Sequence, residues 1–428
     1  MKVEVETLSS VKKRLDIQIP KDVVAHELAS AYRDLGKKIH IRGFRPGKVP
    51  LDILKGYYGS GVKEEVMAKL IEDSYSQALD QTQINPVSDP IVEKKVDLKE
   101  GEDFKYSITV EVKPDISVCE YKGLEVQREN QKITDEDIEK RLESLREMYG
   151  YLRGIQENRP VREGDFVTID FETFVNGKPL KRGKAENYQI EIGANKVLPE
   201  LEKGLMGILP QEEKEITLNF PKEYQDPSLA GKEATFKVRV KEIREKILPD
   251  LDDAFARDIG DYSGLEDLKA RLRQEIEKGE QRRIDSKLKY HLLSKIMEGT
   301  KFEVPEALID VELRRIVNDT RHRLVSRGLD ISGMNLADLE NNMRGQAERR
   351  VREMLILEKI AQQESIEINH EDLERGLKEV ATRLGQDLDT VREFYSKNDL
   401  MDTLRRRILE EKTLNFLLEN AKVIEAGL

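Results

Sequence analysis

Residues 35–51 read LGKKIHIRGFRPGKVPL. The stretch holds Lys37, Lys38, Arg42, Arg45 and Lys48 and no acidic residue, in a chain whose formal net charge is -11. Gly43, Pro46, Gly47 and Pro50 are incompatible with a helix and predict a shaped loop. Phe44 stands between Arg42 and Arg45. Charge and spacing leave two readings open. In one, the loop is solvated and Phe44 tucks back onto its own domain. In the other, Phe44 anchors in a partner's pocket while the cations pair with phosphate or carboxylate. On charge and spacing alone the solvated loop is the simpler reading.

Working outward, Val24, Leu28, Ala31, Tyr32 and Leu35 recur at helical spacing before the loop, and Val62, Val66, Leu70 and Ala78 after it. Leu15, Ile17 and Ile19 alternate as in a half-buried strand that Pro20 ends. Phe104, Tyr106, Ile108, Val110 and Val112 alternate strictly until Pro114. Residues 1–113 therefore read as one α+β domain. Residues 114–160 read as a connector packing with the helical body, with a polar helix from Asp135 to about Tyr149.

From Gly164 the pattern shifts to strands. Phe166–Phe171 alternates, Asn176-Gly177 signals a hairpin, and Glu215–Phe220 and Ala234–Ile243 are further strands. This predicts a small antiparallel β domain over residues 161–247. Thirteen of the 14 prolines lie in residues 1–249, and residues 251–428 contain only Pro305. Proline is excluded from helix interiors, so residues 248–428 are free to form long amphipathic helices, an elongated all-α domain. Ser263-Gly264-Leu265-Glu266 has the capping-box spacing, and Pro305 suits a first helical turn. The fold class is thus multidomain α+β, with an all-α C-terminal part.

Composition narrows the function. The 428 residues are 37% charged and 38% hydrophobic, which suits about three globular domains with polar surfaces. No run approaches the roughly 18 apolar residues of a membrane span, and the charged, alternating start lacks a secretory core. Cys119 is the only cysteine, so no intramolecular disulfide is possible, and a reducing cytoplasmic setting is expected. The five histidines lie apart from one another without ligand spacing, so no metal is expected. No phosphate loop or nucleophile elbow occurs, and the acidic balance opposes DNA or general nucleic-acid binding. No cofactor is expected.

Gly43-Phe44-Arg45-Pro46-Gly47-Lys48-Val49-Pro50 resembles the Gly-Phe-Arg-x-Gly-Lys-x-Pro signature of bacterial trigger factors, the ribosome-associated chaperones. The order of domains fits that family over essentially the whole chain. The resemblance implies that the loop docks beside the exit tunnel of the large ribosomal subunit, on protein and RNA. It assigns Phe44 and Arg45 the docking role, with Gly43 and Lys48 in support. The family often has a basic residue where Pro46 stands, a change that removes one charge contact and stiffens the loop.

The middle segment resembles an FKBP-type prolyl isomerase domain in its layout. Phe171, Tyr188, Val197, Leu198, Leu201, Tyr224 and Phe236 are the candidate walls of a prolyl pocket; on residue type alone each is also ordinary core. Trigger factors usually read Ile-Pro-Gly-Phe-Glu where this chain has Leu198-Pro199-Glu200-Leu201-Glu202. Leu201 therefore replaces the floor aromatic, and Lys181 stands where FKBP domains place an acid. The resemblance implies isomerase activity, and these departures make it low.

Five of the nine methionines, Met297, Met334, Met343, Met354 and Met401, fall in the helical part. They read either as helix packing or as an adaptable lining for unfolded chains. The expected function is an ATP-independent chaperone that binds the ribosome and shelters nascent and unfolded polypeptides. A weak homodimer off the ribosome belongs to the same expectation. The competing readings are a soluble FKBP-type isomerase and a non-enzymatic RNA-binding or helical adaptor.

Overall fold

A computed structural model describes the chain except residues 41–43, 45–48, 94–97, 130–132, 176, 222–228, 330, 332 and 426–428, and the side chains of 181 and 182. In chain order the elements begin with β1 (Lys2–Thr7), β2 (Lys12–Ile19), α1 (Lys21–Lys38), α2 (Leu51–Thr82), β3 (Ile91–Val92) and β4 (Phe104–Glu111). Then come β5 (Glu125–Arg128), α3 (Asp135–Met148), β6 (Tyr151–Gly154), β7 (Phe166–Val175), β8 (Lys178–Glu191), α4 (Pro199–Leu205), β9 (Glu213–Asn219) and β10 (Glu233–Ile247). Helices α5 (Asp253–Ile259), α6 (Leu265–Gly299), α7 (Glu306–Ser326), α8 (Leu336–Gln363), α9 (His370–Leu384), α10 (Leu388–Lys397) and α11 (Met401–Glu419) follow, and β11 (Lys422–Glu425) ends the described chain. The chain divides into two units, residues 1–129 with 284–428, and residues 130–283.

In the first unit, β1-β2-β4-β3 form an antiparallel sheet. The alternation of β2 and β4 places Leu15 opposite Ile108 and Ile17 opposite Tyr106. These side chains share a core with Val24, Leu28 and Tyr32 of α1 and Val62, Val66, Leu70 and Ala78 of α2. The buried Tyr106 hydroxyl lies 2.6 Å from Ser74 Oγ, so its polar end is satisfied inside the core. Lys37 and Lys38 occupy the last turn of α1, where cations complement the helix dipole.

The helical body of this unit is built from apolar stripes. Ile284, Leu288, Leu292 and Ile296 of α6 pack with Ile356, Leu357 and Ile360 of α8 and Leu417 of α11. Helices α7 and α8 join through Ile309, Leu313, Val317 and Ala347. Leu377 and Val380 of α9 meet Val391, Leu404 and Ile408. Residues 116–126 pack on the body as well: Ile116 meets Val351 and Leu355, and Val126 enters the α6–α8–α11 core. Pro305 is the residue before α7 rather than within its first turn. The chain does not stay helical to its end. Val423 and Ile424 extend as β11 and pair in parallel with β5, because β-branched side chains and a free strand edge favour pairing over another helical turn.

In the second unit, β6-β10-β7-β8 form an antiparallel sheet with β9 added on β10. Gly177 at the β7–β8 turn has φ 74°, as the hairpin signal requires. Helix α4 lies over the sheet with Leu201 and Leu205 buried. Its Gly204 allows the close approach, since a Cβ there would meet Ile216 Cγ2 at 2.6 Å. A separate small core joins Leu142 of α3, Phe255 and Ala256 of α5, and Leu268 and Leu272 of α6. The α6 start is capped one residue further on than the spacing suggested. Asp267, not Glu266, accepts from the Ser263 amide at 3.0 Å, and Asp253 accepts from Leu265 N–H at 2.8 Å.

Candidate active site and docking loop

Four aromatic rings cross the β domain in a row. Phe171 on β7 and Phe236 on β10 are diagonal neighbours, because Phe171 pairs with Val238 and Thr173 with Phe236. Their ring centroids are 5.7 Å apart with a 43° tilt. Tyr188 on β8 meets Phe171 edge-on at 5.7 Å and 87°. Phe220, just after β9, stacks on Phe236 at 6.3 Å and 27°. Phe236 and Phe220 are buried, Phe171 is half-buried, and Tyr188 is 45% exposed. The row therefore runs from the core to the surface.

Leu201 of α4 is buried in the same core, and Val197 and Leu198 pack against it from the segment before the helix. Six of the seven sequence-predicted pocket residues thus belong to one side of one sheet and its helix. Tyr224 lies outside the described residues, as does the side chain of Lys181. Glu200 is exposed on α4. Phe220 was missed by the sequence reading, although it ends the alternation Ile216, Leu218, Phe220 that announces β9.

Just before β7, Arg159 grips Asp165 with two 2.7 Å hydrogen bonds, and the Arg162 amide donates to the same carboxylate at 2.8 Å. Burial pushes the Asp165 carboxyl up, but these donors outweigh it and hold the group below its ordinary value. The Asp165 carbonyl accepts from Ile192 N–H at 2.9 Å, which ties the pair to the end of β8. An apolar wall of this kind can do one kind of chemistry without a nucleophile. Rotation about a prolyl amide breaks no bond and requires only loss of resonance, against a barrier of about 18–20 kcal/mol. A site that excludes water and favours the twisted amide lowers that barrier.

The second candidate site is the loop between α1 and α2. Ile39 and Val49 pack against the N-terminal core at its two ends. Phe44 is 37% exposed between them. Gly43, Arg45 and Lys48 lie outside the described residues. Leu51, Tyr57 and Tyr58 on the first turns of α2 are exposed too. Among the described residues, no helix is long and apolar enough to cross a membrane.

Comparison with known proteins covers all three parts of the chain. The model of bacterial trigger factor protein matches residues 1–145, that of the trigger factor C-terminus residues 264–419, and that of FKBP-type peptidyl-prolyl cis-trans isomerase residues 157–241. A trigger factor of Geotalea uraniireducens is 40% identical over 428 residues, covering 99% of each chain. Those of Geotalea daltonii and Geobacter metallireducens are each 37% identical, covering 99% of this chain and 98% of theirs. A solved structure from work on promiscuous substrate recognition by the trigger factor chaperone superposes with a TM-score of 0.56. It covers 98% of this chain and 99% of its own, and at 24% identity it speaks for the fold alone.

Proposed function

The chain belongs to the bacterial trigger factor family, and on that premise we propose that it binds the large ribosomal subunit near the nascent-chain exit and shelters newly made polypeptides without ATP. The observation that carries the reading is Phe44: an aromatic side chain that is 37% exposed at the centre of a stretch with five cations and no acid. Burial of such a ring in a partner pocket, with the cations on phosphate or carboxylate, gives both affinity and orientation. Residues 1–113 are the docking domain, and the helices of residues 248–428, with the connector 114–160, are the holding body. The place of work is the cytoplasm.

Residues 161–247 add prolyl cis–trans isomerisation. The aromatic row Tyr188–Phe171–Phe236 with Leu201, Val197 and Leu198 supports this role. Leu201 offers less wall to a prolyl ring than an aromatic would, so turnover is low. The experiment that tests the docking is co-sedimentation with 70S ribosomes, wild type against Phe44→Ala/Arg45→Ala. The double variant should lose most of its binding at physiological salt while remaining folded. Equal sedimentation of the two proteins would overturn the docking role.

A further inference from the structure

Glu202 follows the pocket residue Leu201 in α4 and is only 4% exposed. Its Oε2 accepts a 2.9 Å hydrogen bond from the Gly193 amide, across the segment that joins β8 to α4. Its Oε1 is buried and has no hydrogen-bond partner among the described residues. A carboxylate kept inside a protein with one oxygen unbonded is costly, so a role beyond packing has to justify it. The Gly193 end of the bond is just as constrained. Gly193 has φ 92°, and a Cβ on it would meet Glu163 Cγ at 2.9 Å. The other bonds at this turn are long or exposed: Asn195 Nδ2 to Gly193 O at 3.4 Å, Ala194 N–H to Glu191 O at 3.5 Å, and the exposed Lys196–Glu191 pair at 2.7 Å. The segment closed by the Gly193–Glu202 bond carries Val197 and Leu198 to the pocket.

We propose that Glu202 is a positioning residue for prolyl-peptide binding: through the Gly193 amide it latches residues 193–198 so that Val197 and Leu198 stand against the aromatic row. The inference rests on the isomerase reading above. The two aliphatic side chains would touch the prolyl ring equally in ground and transition states. Loss of the latch therefore weakens peptide affinity more than turnover of bound peptide.

The test uses the full chain and a Phe-Pro tetrapeptide, with affinity and bound-state exchange rate both read by NMR exchange. Glu202→Met keeps the volume and removes the acceptor; Glu202→Gln keeps an acceptor for Gly193. Glu202→Met should bind the peptide five- to tenfold more weakly with the bound-state rate within twofold, and Glu202→Gln should stay near wild type. Wild-type affinity in a folded Glu202→Met, or equal damage in both variants, would overturn the proposal. Hydrogen exchange of the wild-type chain adds a test that needs no variant. The Gly193 amide should be protected, and fast exchange there in a chain that binds the peptide overturns the latch alone. A wild-type chain that binds no prolyl peptide overturns the isomerase reading and the latch with it.

Discussion

The Glu111 carboxylate, at the end of β4, accepts a 2.8 Å hydrogen bond from the Ala307 amide in the first turn of α7. The residue before that helix is Pro305, which provides no side-chain cap. A strand of the N-terminal sheet thus supplies the side-chain acceptor that the helix's own N-cap residue does not. Glu303 receives Ser10 Oγ at 2.8 Å, and Lys113 bonds Glu358 at 2.6 Å, along the same seam. The N-terminal sheet is held to the helices of the same unit by polar bonds whose partners lie about 200 or more residues apart in the chain.

Removing this cap should therefore loosen the seam. Glu111→Ala is expected to cost about 1–3 kcal/mol, the range for a buried charge-assisted bond at a helix start. Glu111→Gln keeps an acceptor and should cost less. Thermal unfolding by circular dichroism, together with proteolysis between residues 113 and 116, reads both effects. An unchanged profile for Glu111→Ala would show that the seam is held elsewhere.

The Arg159–Asp165 pair gives the β domain an acid limit. Asp165 has a lowered pKa in the folded chain, so its contribution is complete above the unfolded value of about 3.9 and is lost as pH falls through the folded value. Stability of the domain should be insensitive to this group from pH 7 to about 5, and should fall below about 4. Asp165→Asn should remove that acid-side slope and cost roughly 2–4 kcal/mol at pH 7, since it leaves the Arg159 guanidinium without its counter-ion. Urea unfolding at several pH values decides it.

The pocket makes its own forecast. Phe171 touches both Tyr188 and Phe236, so Phe171→Ala should lower isomerisation at least tenfold, about 1.4 kcal/mol on the barrier. Tyr224→Ala should reduce it as well. Leu201→Phe restores an aromatic floor and should raise activity several-fold. Phe-Pro peptides should turn over faster than Glu-Pro peptides at an apolar wall. A protease-coupled assay measures all four, and activity at the level of a dedicated isomerase in the wild type would show that Leu201 is no handicap.

Holding and catalysis should separate. The body has its own cores, in α6–α8–α11, in α7–α8 and among α9, α10 and α11. A chain lacking residues 162–247, closed by a flexible linker, is expected to suppress aggregation of a refolding client nearly as well as the full chain. If suppression vanishes while the remaining domains stay folded, the β domain is the main holding surface.

Much of this was legible in the chain itself. Strict alternation at Leu15–Ile19 and Phe104–Val112, and helical spacing at Val24–Leu35 and Val62–Ala78, determined the N-terminal sheet and its two helices, because period alone decides which side chains share a face. The confinement of all prolines but Pro305 to residues 1–249 marked where helices could run long. The loop at residues 35–51 announced itself by residues that refuse a helix. What only the tertiary structure decided were relationships between distant residues. Phe220 joins the aromatic row because β9 lies beside β10. Asp253 caps α6 across a turn, Glu111 caps α7 from the N-terminal sheet, and Glu202 reaches back to Gly193. Val423 and Ile424 form a strand because β5 offers an edge. Local periodicity encodes faces; it does not encode which buried donor meets which acceptor, since that choice is made only when the packed chain must satisfy each polar group it has removed from water.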